Sequence, residues 1–197
     1  MKWMSLIVIS CFYFFAQGQN NNYVKGYVID LNQDTIQGFV KLNKIGLAST
    51  SSSRVKFKSD QFIFSKRYSP NQILGYGFDN EHFVSLAIST RLRPFKTVQV
   101  IDESVERQFL RVVKRSDKLT YYESFFTDED NDDLNRVPYF HIPYRPEMVR
   151  VTQGIFGLKK NRLSEYFEHC PELVEAINGK KITEPIQVYN YYVTKCK

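Results

Sequence analysis

The residues best suited to chemistry in this 197-residue chain are few and widely spaced. Asp128, Asp130 and Asp132 alternate within Thr127-Asp-Glu-Asp-Asn-Asp-Asp133, which begins like a calcium loop. Such a loop requires glycine at its sixth position and glutamate at its twelfth. Asp133 and Tyr139 stand there instead, so the stretch reads as a solvated hairpin tip. The histidines, His82, His141 and His169, pair at no metal-ligand spacing. His169-Cys170 invites a thiol-nucleophile reading, but adjacent residues of a helix point about 100° apart and do not face each other. No Gly-x-Ser-x-Gly elbow, phosphate loop or dinucleotide fingerprint occurs. Tyr121-Tyr122, Tyr139-Phe140 and Tyr191-Tyr192 are candidates for stacking on sugars or bases. In a β-rich chain such pairs ordinarily place one ring in the core and the other outside. No catalytic residue, cofactor or metal is expected.

The elements that must position these groups are mostly strands. Tyr27 to Leu31 and Thr35 to Leu42 are rich in β-branched and aromatic residues and flank Asn32-Gln33-Asp34, a cluster of turn formers. Gly38 inside the second run marks a bulge or a close backbone approach. A lone hairpin is marginal, so further strands or a helix must cover it. Gly46 to Arg54 reads as a loop. Arg54 to Lys58 alternates, with Val55 and Phe57 on one face. Phe62 to Phe64, Ile73 to Phe78, Phe83 to Ile88 and Thr97 to Ile101 read as strands, with Arg91 to Phe95 as a connector because of Pro94. Phe109 to Lys114 and Leu119 to Phe126 form a hairpin; Val137 to Ile142 and Met148 to Thr152 follow. Some ten short strands at regular spacing predict an antiparallel sheet that curls or closes.

The pattern changes near Gly157. Leu158, Leu163, Tyr166, Phe167 and Cys170 recur at helical spacing. Pro171 suits the first turn of a second helix and Asn178-Gly179 its end. Thr183 suits the cap of a third, with Pro185 in its first turn, although the aromatic and β-branched content of Ile186 to Val193 also suits a strand. The expected class is α+β: residues 19–153 as a mainly β part, curled or barrel-like, and residues 154–197 as a small helical part packed on it.

Residues 1–18 read as an export signal. Lys2 opens it, Met4 to Ala16 is apolar but short for a bilayer span, and Ala16-Gln17-Gly18 supplies small residues for cleavage between Gly18 and Gln19. An alternative uses Cys11, since Val8-Ile9-Ser10-Cys11 loosely fits a lipoprotein site; the apolar run Phe12 to Phe15 continues past it. No later stretch is long and apolar enough for a transmembrane helix. Cleavage removes one basic residue and no acid, so the net charge of +6 becomes +5. That balance serves solubility or attracts anionic lipids or glycans. The basic residues are scattered among acids, which argues against nucleic acid. Cys170 and Cys196 survive cleavage, and an oxidising compartment favours a disulfide between them over two free thiols. The bridge would close about 25 residues and contribute on the order of 3–4 kcal/mol.

Gly26-Tyr-Val-Ile with Asp34-Thr-Ile-Gln-Gly38, Tyr68-Ser-Pro-Asn-Gln-Ile-Leu-Gly-Tyr76, Phe109-Leu-Arg-Val-Val with Leu119-Thr-Tyr-Tyr, and Tyr166-Phe-Glu-His-Cys-Pro-Glu-Leu173 with Cys196 occur in this order. Together they resemble a group of uncharacterised secreted proteins of Bacteroidota. The resemblance implies export into a Gram-negative envelope and supplies no catalytic residues. The reading that follows is an exported envelope protein, in the periplasm, at the outer membrane or outside the cell. It is a binding or accessory domain for an envelope protein or glycan, without enzymatic activity. The alternatives are a hydrolase of envelope or polysaccharide material, and a structural protein that pairs its sheet edges with a partner strand.

Overall fold

The structure, a computed structural model, describes residues 22–43, 47, 53–61, 63–94, 96–127 and 134–196. The expected export signal and the acidic stretch 128–133 lie outside the described residues. Among the described residues, eleven strands run in chain order: β1 (Tyr23–Ile29), β2 (Thr35–Lys41), β3 (Val55–Ser59), β4 (Lys66–Tyr68), β5 (Gly75–Phe78), β6 (Glu81–Arg93), β7 (Lys96–Ile101), β8 (Arg107–Arg115), β9 (Thr120–Thr127), β10 (Leu134–His141) and β11 (Glu147–Arg150). Three short helices follow: α1 (Lys160–Tyr166), α2 (Pro171–Asn178) and α3 (Pro185–Lys195). The α+β class, with an antiparallel sheet and a small helical C-terminal part, is as expected.

The sheet order is β4-β3-β2-β1-β5-β6-β7-β11-β10-β9-β8, and β8 pairs back onto β6. That last pairing closes six strands into a barrel. The long β6 makes it possible. Its first half pairs with β5 through Gly75↔Val84 and with β8 through Phe83↔Arg111, while its second half pairs with β7 from Ile88↔Ile101 to Arg93↔Lys96. Strands β5, β1, β2, β3 and β4 extend from β6 as a wing.

Alternation along the strands divides the apolar residues into three cores. All six barrel strands contribute to the interior, where Leu110, Tyr122 and Met148 are buried among Val84, Ile101 and Tyr139. The outward face of β6, β8 and β9 meets the wing through Tyr76, Phe83, Phe109 and Phe125; Tyr76 stacks on Phe83 at 4.6 Å and meets Phe109 edge-on at 4.9 Å. The outward face of β9, β10 and β11 is covered by the helices through Tyr121, Phe140, Val151, Leu163, Phe167, Leu173 and Val188. The abundant aromatics thus fill both outer interfaces as well as the interior.

Several boundaries differ from expectation. Ile63 and Phe64 form no strand; they are exposed in the β3–β4 connection, because the register Val55↔Tyr68 to Phe57↔Lys66 gives the pairing to residues 66–68. The strand expected from Ile73 begins only at Gly75. Arg91 to Arg93 belong to β6, and Pro94 sits in the tight turn to β7. Leu158 is not helical; it bridges Thr152 before α1 begins. The final piece is a helix, capped at Glu184 instead of Thr183, with the Gln187 side chain accepting from the Thr183 and Glu184 amides. Gly38 marks a close approach and no bulge, since β1 and β2 stay in continuous register and a Cβ there would meet the Lys58 carbonyl oxygen at 2.2 Å.

Candidate functional site

The barrel wall is incomplete between β7 and β11. Only Glu147↔Val100 and Met148↔Gln99 pair, with the Ile101 amide donating to the Pro146 carbonyl at 2.8 Å beside them, and no ladder pair follows past Met148 and Gln99. Helix α1 lies over the gap. A cavity of about 460 Å³ results, lined by Thr97 to Gln99 of β7, Pro146 to Arg150 around β11, and Lys159, Arg162, Glu165 and Tyr166 at α1. The β6–β7 hairpin tip reaches its rim with Arg93 and Lys96. A second, shallower cavity of about 450 Å³ adjoins it and shares Lys159 and Arg162.

Local sequence explains how each side chain arrives. Arg150 alternates onto the interior face with Met148, and its ladder partner is Tyr139. The Lys159 amide donates to the Val151 carbonyl at 2.8 Å, which anchors the start of α1 to the end of β11. Tyr166 fastens the other end. Its hydroxyl accepts from the Ile142 amide at 2.9 Å and donates to the Glu147 carbonyl at 3.1 Å, and burial raises its pKa. Arg145 lies over the Tyr166 ring at 5.8 Å and donates to the Tyr166 carbonyl at 3.3 Å.

Six cations line this cavity against three carboxylates, Glu147, Glu165 and Glu168. Arg93 takes Glu147 at 2.5 Å, Lys96 takes Glu165, and Arg162 approaches Glu165 at 3.7 Å. Among the described residues, Arg150 and Lys159 pair with no carboxylate, and the Arg150 Nε is shut off from solvent with no hydrogen-bond partner. Lys159 is held below the usual lysine pKa by burial first and by the charges of Arg150 and Arg162 next. An anion seated there would offset the desolvation of Lys159 and its repulsion by Arg150 and Arg162. Guanidinium groups suit planar carboxylates and phosphate oxygens, and an ammonium adds a point charge.

The residues singled out from sequence fall elsewhere. Cys170 and Cys196 form a disulfide with Cα atoms 5.7 Å apart, joining the start of α2 to the end of α3. Cys170 is therefore no free thiol, and His169 Nε2 meets the Tyr192 hydroxyl at 2.8 Å. His82 meets the Tyr27 hydroxyl at 2.7 Å, and His141 Nε2 donates to the Arg145 carbonyl at 2.7 Å. The three histidines are not brought together. Among the described residues, no group of three His, Cys, Asp or Glu side chains could hold a metal ion. The aromatic pairs do not place one ring outside as expected. Tyr121 and Phe140 join the helix-covered core and Tyr122 and Tyr139 line the barrel interior, because both faces of the barrel wall are covered; Tyr192 is buried in the helix-covered core, with Tyr191 packed against it. Reading by motif missed Arg150, Lys159 and Arg162. The available signal was charge density, since residues 145–162 hold five cations and a single acid. No family model, curated protein or solved structure matches this chain.

Proposed function

We propose that this chain is an exported envelope protein that binds a small anion-bearing molecule, a carboxylate or a phosphate ester, in the cavity between β7, β11 and α1. The convergence of Arg150 and Lys159, both without a carboxylate partner among the described residues, carries this reading. Two cations held together against desolvation and mutual repulsion are unfavourable until an anion joins them. The edge of β7 from Lys96 to Val98, unpaired with β11, adds backbone donors and acceptors for the rest of a ligand. The disulfide supports an oxidising compartment, in keeping with the export signal and with the resemblance to secreted Bacteroidota proteins.

Binding is favoured over hydrolysis because Glu147 and Glu165 are engaged with Arg93 and Lys96. A hydrolase needs two carboxylates, or a histidine and an acid, poised on a substrate. Pairing of an outside strand is disfavoured at β4, which has three residues including Lys66 and Arg67, the short charged edge that discourages strand addition.

Thermal melting of the purified protein with inorganic phosphate, sugar phosphates and uronic acids at low ionic strength tests the reading. At least one anion raises the melting temperature of the wild type, and Lys159→Ala with Arg150→Gln abolishes the rise. A wild-type protein whose melting temperature no anion of the panel changes overturns it.

A further inference from the structure

The charges of the wing are arranged differently from those of the barrel. Every ion pair among the described residues lies at Glu81 or beyond. In the wing, Val28, Val40, Val55 and Phe57 point into its core, so alternation sends their neighbours to the opposite face. That outer face carries Lys25, Phe39 and Lys58 in one row across β1, β2 and β3, through the pairs Lys25↔Phe39 and Phe39↔Lys58. The next row carries Lys41 opposite Tyr23, and Lys56 directly opposite Arg67. None of these five cations pairs with a carboxylate among the described residues. The wing's described acids stand at strand ends: Asp30 and Asp34 in the β1–β2 turn, Asp60 after β3, and Asp79 after β5. Asp30 is committed to that turn, accepting from the Asn32 and Asp34 amides at 2.9 Å.

Like charges directly opposite on neighbouring strands destabilise a sheet. Lys56 facing Arg67 is such a pair, so the face is built against its own stability unless an external anion covers it. The sequence reads these cations as scattered; the ladder gathers them. The bordering β3–β4 connection supplies a second, different feature. Ile63 and Phe64 stand 84% and 86% exposed, between Lys58 on one side and Lys66 and Arg67 on the other. A soluble polyanion uses the cations and gains nothing from two bare apolar side chains. A bilayer uses both, headgroups on the cations and the acyl boundary on the apolar pair.

We infer that the outer face of β1–β4 docks on an anionic lipid bilayer, with Lys25, Lys41, Lys56, Lys58 and Arg67 against the headgroups and Ile63 and Phe64 inserted beside them. Juxtamembrane cations each strengthen such binding about fivefold, and salt screens it. This surface shares no residue with the anion cavity, so the two proposals fail independently.

The test is co-sedimentation of the purified protein with vesicles of equal parts phosphatidylglycerol and phosphatidylcholine, and with vesicles of phosphatidylcholine alone. Binding to the anionic vesicles, released by 0.5 M salt on the order expected for several contacts, is the expected result. Lys56→Gln with Lys58→Gln and Arg67→Gln weakens it about a hundredfold. Ile63→Ser with Phe64→Ser weakens it as well, while leaving adhesion to heparin or duplex DNA unchanged. All of these side chains but Lys56 are exposed; melting curves verify folding, and Lys25→Gln with Lys41→Gln serves as a second charge variant. Equal partition onto both vesicle types, no partition, or binding insensitive to these variants overturns the proposal. Adhesion to heparin or DNA in the absence of vesicle binding overturns it in favour of a soluble polyanion.

Discussion

Arg111 on β8 and Glu123 on β9 face each other in the ladder, and the Arg111 Nη2 donates to the Glu123 Oε2 at 2.6 Å. The pair joins the two outer cores. The Arg111 guanidinium lies over Phe125 of the wing interface at 5.4 Å, and the Glu123 Oε1 accepts from the Tyr121 hydroxyl, under the helices, at 3.0 Å. Glu81 at the start of β6 takes the other arm of Arg111 at 3.0 Å. One cation therefore ties three barrel strands together where wing and helices meet.

Arg111→Met strands Glu123, which is 8% exposed, without its counter-charge. Removing one partner of a buried pair costs about 3–5 kcal/mol. The urea midpoint falls accordingly. Arg111→Met with Glu123→Gln recovers much of that loss, because no buried charge is left alone. A double variant no more stable than the single one would contradict this account.

The Cys170–Cys196 bridge closes a sequence separation of 26 residues and joins α2 to α3. Lys118 also holds the tail, donating to the Cys196 carbonyl at 2.7 Å. Cys170→Ser with Cys196→Ser lowers stability by about 3–4 kcal/mol in the chain-entropy model. Urea unfolding with and without reductant reads this directly, and two alkylatable thiols in the unreduced protein would refute the bridge.

Gly38 packs against the β3 backbone so closely that a Cβ would lie 2.2 Å from the Lys58 carbonyl oxygen and 2.8 Å from the Ser59 Cα. Backbone atoms cannot swing aside as a side chain can. Gly38→Ala therefore separates β2 from β3 and destabilises the wing by about 1–3 kcal/mol, the usual range for overpacking. Hydrogen exchange of the β2 and β3 amides should quicken while that of β9 and β10 does not.

Lys159 titrates below the ordinary lysine range because burial and the neighbouring arginines oppose its charge. In the proposed anion site, affinity depends on that charge. Affinity therefore falls as pH rises through the lowered pKa of Lys159, before ordinary lysines deprotonate. A bound anion raises that pKa and moves the fall to higher pH. Lys159→Arg stays charged and extends binding upward, which calorimetric titrations with phosphate at several pH values can follow. In the free protein the sign is opposite for stability. The depressed pKa means that the folded state gains as Lys159 loses its proton, so charging it at lower pH weakens the fold unless an anion is present.

Much of the architecture was legible because its determinants are local. Alternation placed Val55 and Phe57 inward, Asn32 to Asp34 turned the first hairpin, and Pro171 and Pro185 opened the last two helices. Boundaries failed where pairing outranked composition. Phe62 to Phe64 has strand-like residues, yet β3 pairs with Lys66 to Tyr68. Pro94 looked like an interruption, yet it occupies the turn itself and lets β6 run to Arg93.

By itself, the sequence determined a β-rich chain with a helical tail and two cysteines available for a bridge. Those properties follow from periodicities of two and 3.6 residues and from residue chemistry, which act over short stretches of chain. Only the tertiary structure decided that β8 returns to β6 to close a barrel, that β7 and β11 part, and that Arg150 and Lys159 meet in the opening. It likewise decided that cations from residues 25 to 67 share one face of the wing. Strand register sets those neighbours, and register arises from pairing between segments far apart in sequence, which no local pattern specifies.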